Sequence, residues 1–99
     1  MNSQLKLDHE QIVQFCRKNN IEKLSFFGSV LREDFGPESD VDVLVEFAPD
    51  TRIGLIGLAG LEIELTNIIG RKVDLHTPQD LSRYFRDQVM AAAEVQYAA

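Results

Sequence analysis

Cysteine is nearly absent from this chain of 99 residues, Cys16 being the single one. A lone thiol excludes an intramolecular disulfide and fits a reducing compartment. Its place in an apolar helical pattern reads as a small buried hydrophobe rather than a nucleophile. Basic residues are also few, 10 Lys and Arg against 16 Asp and Glu, for a formal net charge of −6. An acidic surface repels a phosphate backbone, so direct binding of free DNA or RNA is not expected. A basic partner protein, or a nucleotide carried by a cation, is compatible with it. No basic-then-apolar leader opens the sequence. The most apolar stretch, residues 53–69, is interrupted by Glu62, Glu64 and the glycines at 54, 57 and 60. It is also shorter than the roughly 20 apolar residues that cross a bilayer. No membrane span is expected, and the expected location is the cytoplasm. Internal repeats and low-complexity linkers are missing as well.

What is present reads as one globular domain over residues 1–99. The hydrophobic content of 44% is enough for a core and argues against disorder. Asp8 is placed as a helix N-cap, with Gln11 as the reciprocal partner of a capping box. Ile12, Val13, Phe15 and Cys16 supply the apolar stripe, and Asn19 and Asn20 end the helix. Residues 21–27 mix β-branched and aromatic side chains and read as a strand ending at Gly28 and Ser29, with Phe26, Phe27 and Phe47 expected in the core. A short helix is expected over 30–35 and a turn over 36–39. The clearest strand is 40–47. Residues 55–69 then read as a helix with Leu58, Leu61, Leu65 and Ile68 on one side and Gly70 as its C-cap residue. A third strand follows over 71–76. Thr77 and Pro78 are expected to open a last helix reaching to about residue 95. This order predicts a small α/β (α+β) fold, a mixed sheet with helices packed on one face.

Three aspartates carry the chemistry. Side chains alternate along a strand, so Asp40 and Asp42 share one face while Val41 and Val43 take the other. Asp74, between Val73 and Leu75, has the same parity, and His76 shares its face, where it reads as a surface histidine. If the two strands are neighbours, three carboxylates converge. Like charges that close repel unless a cation sits among them. Oxygen-only clusters suit hard divalent cations, and Mg²⁺ pairs a few carboxylates with substrate phosphates. Two other Asp-X-Asp chemistries do not fit. In haloacid-dehalogenase-type phosphatases the pair follows its hydrophobic strand, whereas here the strand follows the pair. An EF-hand loop needs further ligands and a glycine where Val43, Leu44 and Val45 stand.

Phe27, Gly28 and Ser29, ten intervening residues, and then Asp40, Val41 and Asp42 resemble the pattern of the polymerase-β-type nucleotidyltransferases. The chain is similar to their smallest branch, the minimal nucleotidyltransferases, over nearly its whole length. A Gly-Ser turn or a lone Asp-X-Asp is common; their spacing, strand context and a third aspartate together are specific. The resemblance implies the nucleotidyltransferase fold, with Asp40, Asp42 and Asp74 as catalytic residues holding one or two Mg²⁺. It implies ATP as substrate, with Gly28, Ser29 and Arg32 binding the nucleotide. A glycine at a strand end lets backbone N–H groups approach phosphate oxygens, and a following helix N-terminus favours negative charge. The chain departs from the family where Leu31 and Glu33 flank Arg32, positions at which small residues are common. Glu33 adds negative charge beside a phosphate loop.

The larger relatives carry a helical domain that holds their second substrate, and 99 residues leave no room for one. The resemblance therefore implies another protein as acceptor: a HEPN-type RNA-cutting toxin encoded nearby, joined to this chain in a hetero-oligomer. The expected activity is that of an antitoxin transferring AMP from ATP to a tyrosine hydroxyl of that toxin. The alternatives are an antitoxin that neutralises its partner by binding alone, and a nucleotidyltransferase acting on a small cationic acceptor.

Overall fold

A computed structural model describes residues 8–28, 40–84 and 86–99 of the chain. The first element, α1 (His9–Lys18), begins where expected: the Asp8 carboxylate accepts from the backbone N–H groups of Glu10 and Gln11. It buries Ile12, Phe15 and Cys16. It stops at Asn19, whose side-chain amide donates to the Phe15 carbonyl, and Asn20 takes a positive φ of 57°. Asparagine tolerates that left-handed conformation better than most residues, so the chain reverses directly into β1 (Ile21–Phe27).

The strand β2 (Val41–Phe47) pairs antiparallel with β1, and α2 (Leu55–Ile69) returns the chain to β3 (Val73–His76). Parallel pairing of β3 with β2 requires such a crossover, and a helix is the usual one. Gly70 ends α2 with φ of 80°, its N–H donating to the Thr66 carbonyl. Only glycine adopts that conformation without steric cost. A short α3 (Arg86–Ala92) precedes β4 (Glu94–Ala98), which adds antiparallel to the free edge of β1. The sheet order is β3-β2-β1-β4, with one parallel and two antiparallel pairings.

The core lies between one sheet face and the helices α1 and α2. Leu24 and Phe26 of β1, Val41, Val43 and Val45 of β2 and Val73 of β3 meet Phe15, Cys16, Leu61 and Leu65 there. Alternation sends Asp42 and Asp74 to the opposite face. This is the mixed sheet with helices on one face that the sequence predicts. Among the described residues no helix is long and apolar enough to cross a membrane.

The C-terminal region differs from expectation. Thr77 and Pro78 open a turn rather than a helix, with the Asp80 N–H donating to the Thr77 carbonyl, and helix is confined to α3. The last residues form a strand because β1 would otherwise expose a row of unpaired backbone groups. Tyr97 packs against the core and Gln96 is buried, so the pairing also covers side chains. Phe27 is a second difference. It is only half-buried and stands on the aspartate face instead of in the core. The short helix expected over 30–35 and the turn over 36–39 lie outside the described residues.

Candidate active site

The parallel register of β2 and β3 sets Asp42 directly beside Asp74, with Leu44 beside His76. On the other side of β2, Phe27 of β1 is the partner of Asp42. The first aspartate is thus flanked by an aromatic ring and by a second carboxylate.

Two contacts from α2 fix the edge on which Asp74 rides. Among the described residues no strand pairs with the outer edge of β3. Val73 N–H instead donates to Thr66 Oγ1 at 3.1 Å, and Leu75 N–H to Glu62 Oε2 at 2.9 Å. Thr66 and Glu62 are four residues apart and so lie on one side of the helix. They bond the residues immediately before and after Asp74, which leaves its carboxylate on the open face with its backbone held on both sides.

Gly28 closes the site from β1. Its φ is +74°, and a Cβ placed there would stand 2.2 Å from Asp42 Oδ2. A Cβ could enter only if the Asp42 carboxylate moved aside, so Asp42 as placed occupies space that glycine leaves free. Beyond any approach of its backbone to phosphate, Gly28 leaves open the place where the Asp42 carboxylate stands.

His76 is the residue that sequence reasoning passed over. Its Nε2 lies 3.2 Å from Asp74 Oδ2, and its Nδ1 lies 3.0 Å from Asp80 Oδ2. The ring meets Phe27 edge-on, with centroids 5.4 Å apart. Since β2 runs between β1 and β3, the two rings approach each other across it. Strand parity placed His76 on the face of Asp74; the missing signal was Asp80, which only the turn after β3 brings alongside. Asp42, Asp74 and His76 each offer a ligand atom within 4.8 Å of the others. Asp40, exposed and immediately before β2, stands outside that group. Ser29 and Arg32 lie outside the described residues.

This donor set fits a divalent cation. Two carboxylates from adjacent strands and an imidazole converge on a partly open face, and glycine excludes any side chain from the space beside one of them. By contrast, a cavity of about 600 Å³ at the far end of β2, lined in part by Phe47, Arg52, Ile53 and Thr77, brings together no such ligand group.

Comparison with known proteins identifies the arrangement. The model of the family described as "Nucleotidyltransferase domain" matches residues 9–95. The chain belongs to that family. Among curated relatives of this nucleotidyltransferase is "Putative protein adenylyltransferase MJ0435" of Methanocaldococcus jannaschii. It is 30% identical over 83 residues, 84% of this chain and 87% of the relative. Among solved structures, a chain of "the toxin-antitoxin with AMP-PNP" superposes with a TM-score of 0.75 at 22% identity, covering 94% of this chain and 75% of that one. A chain of a "tri-AMPylated Shewanella oneidensis HEPN toxin in complex with MNT antitoxin" gives 0.66 at 22% identity, covering 92% and 70%. At these identities the two structures establish the nucleotidyltransferase fold.

Proposed function

We propose that this nucleotidyltransferase transfers AMP from ATP to a tyrosine hydroxyl of a HEPN-type toxin and thereby acts as its antitoxin. The observation that carries the reading is the pair Asp42 and Asp74, side by side on adjacent strands with Gly28 against the first. Asp40, Asp42 and Asp74 would hold Mg²⁺, which when bound neutralises the triphosphate and the charge developing at the α-phosphate. Gly28 admits backbone N–H groups to phosphate oxygens, and Ser29 and Arg32 follow it in sequence as further donors. The tyrosine oxygen attacks the α-phosphorus, the bond to the bridging oxygen breaks, and pyrophosphate leaves. Asp74, about half exposed, would take the hydroxyl proton as the new P–O bond forms.

Support for a protein acceptor comes from two directions. A relative at 30% identity carries the name of a protein adenylyltransferase. On this chain Leu55, Ile56 and Ile63 of α2 stand exposed, at 85%, 91% and 64%. Apolar residues grouped on one helix are what a protein partner covers, and a small cationic acceptor has no use for them. The acidic balance of the chain suits a basic RNA-binding partner. An AMP added to such a partner brings bulk and negative charge, which obstruct its RNA cleft.

The same exposed residues also favour neutralisation by binding alone, and one experiment separates the two readings. The protein, its Asp42→Asn variant and the candidate toxin are incubated with ATP and Mg²⁺ and followed by intact mass. The transfer reading expects a gain of one or more AMP groups on the toxin with the parent chain and none with the variant. An unmodified toxin that is still neutralised by both would establish occlusion instead.

A further inference from the structure

The contact between His76 and Asp80 restricts which atom of the imidazole can face the candidate site. Asp80 Oδ2, a carboxylate oxygen, can only accept, so the proton shared at 3.0 Å sits on Nδ1 of the histidine. The other ring nitrogen, Nε2, faces Asp74 Oδ2 at 3.2 Å, and Asp42, Asp74 and His76 each bring a ligand atom within 4.8 Å of the others. The two carboxylates and the ring nitrogen thus converge on one point, where a shared cation would offset the like charges. A carboxylate behind one ring nitrogen and an open donor on the other is how proteins prepare histidines to bind metals, the carboxylate fixing tautomer and ring orientation. The spacing agrees as well. Two ligand atoms bound at about 2.1 Å and meeting an octahedral metal at right angles stand roughly 3 Å apart.

We infer that His76 Nε2 is a direct ligand of the metal held by Asp42 and Asp74, giving a mixed nitrogen and oxygen site that prefers Mn²⁺ to Mg²⁺. Asp80 is the positioning residue behind it, and the Phe27 ring braces the imidazole from the other side. An imidazole nitrogen is a poor match for Mg²⁺, which favours oxygen and gives up its water reluctantly. The Irving–Williams order concerns transition metals, but the same softness argument sets Mn²⁺ above Mg²⁺ wherever nitrogen enters the shell. Nothing in this requires catalysis: it concerns what these three side chains bind. It does rest on the reading of Asp42 and Asp74 as metal ligands.

The test uses the intact chain with Mn²⁺, alone and with a non-hydrolysable ATP analogue. Electron spin-echo spectroscopy of the bound Mn²⁺ should show modulation from a coordinated imidazole nitrogen, a signature that needs no variant. His76→Gln should lose the modulation and at least tenfold in Mn²⁺ affinity while changing Mg²⁺ affinity little. Asp80→Asn should weaken Mn²⁺ binding about tenfold and retain the modulation. Bound Mn²⁺ without nitrogen modulation, or equal Mn²⁺ affinity in His76→Gln, overturns the inference and leaves the two aspartates as ligands. The ring would then brace Asp74 without binding the metal. If Asp42→Asn binds Mn²⁺ as well as the parent chain does, the metal site itself is wrong.

Discussion

Gly28 and Cys16 show how differently a single residue can matter in this small fold. At Gly28 the backbone is left-handed and the Asp42 carboxylate fills the place of a side chain. Gly28→Ala must therefore adopt an unfavourable φ, at a cost of about 1–2 kcal/mol, and must push Asp42 away. We expect the variant to remain folded with a modestly lower Tm and to lose nucleotidyl transfer about 100-fold or more, measured as AMP incorporated per unit time. A glycine-to-alanine change that spared activity would show that the carboxylate position is unimportant. Cys16 is fully buried in the core, and burial pushes its thiol up to about 12. The native chain should resist alkylation at neutral pH and be modified only after unfolding. Between the ordinary thiol value and about 12 the folded chain keeps a proton that the unfolded chain releases. Stability contributed by the neutral thiol is thus complete below the unfolded value and falls as pH rises through that window. Denaturant titrations of Cys16→Ala and the parent should show a smaller alkaline decline in the variant. Of the site residues, Asp42 and Asp74 could be read from strand parity alone, because alternation is local. His76 could not be read that way, since its role depends on Asp80 and Phe27, which reach it only through the turn after β3 and across β2.

The helix α2 and strand β3 act as one unit, and the unit is held by bonds that no sequence pattern announces. Helix periodicity placed α2 over Leu55–Ile69 and the C-cap at Gly70, both as observed. It did not reveal that Thr66 and Glu62 would bond the outer edge of β3. Thr66→Val keeps the shape of the side chain but leaves the Val73 N–H without its acceptor, and Val73 is buried. An unsatisfied buried donor costs about 1–3 kcal/mol, so Tm should fall by at least roughly 4–8 °C for a domain of this size. Glu62→Ala should likewise loosen the backbone following Asp74 and reduce transfer more than it reduces ATP affinity. Thermal melts and a separation of kcat from KM check these outcomes, and an unchanged melt for Thr66→Val would remove the proposed edge support. The strand β4 escaped sequence reading for a related reason. The alanines at 91–93 favour helix, and nothing nearby says otherwise. What decides the structure there is the distant edge of β1, which accepts residues 94–98 as its partner. Tertiary pairing overrides local preference most easily in short segments at chain ends.

Taken whole, the chain carries a net negative charge and exposes apolar residues on α2, and the groove beside that helix reaches Asp80. A groove of about 440 Å³ is lined by Leu58 and Ala59 of α2 on one side and by Thr77 and Asp80 on the other. Asp80 is the residue that holds His76, so a protein lying on α2 would reach the neighbourhood of Asp74 without leaving the groove. Ile56 and Ile63 are two turns apart and therefore exposed on the same side of the helix. Burying them would contribute the apolar part of the interface, while the net charge of −6 would steer a basic partner toward it. These two contributions can be measured separately. Ile56→Glu on this exposed position should leave thermal stability nearly unchanged and leave Mn²⁺ binding intact. It should nevertheless weaken capture of the proposed HEPN-type acceptor at least tenfold, chiefly through faster dissociation, and transfer should fall with it when that acceptor is limiting. Raising the salt concentration should instead slow association of the parent complex with little effect on its dissociation. Surface plasmon resonance with the immobilised acceptor reads both rates in one experiment. If Ile56→Glu binds with unchanged kinetics, the proposed acceptor does not cover this side of α2.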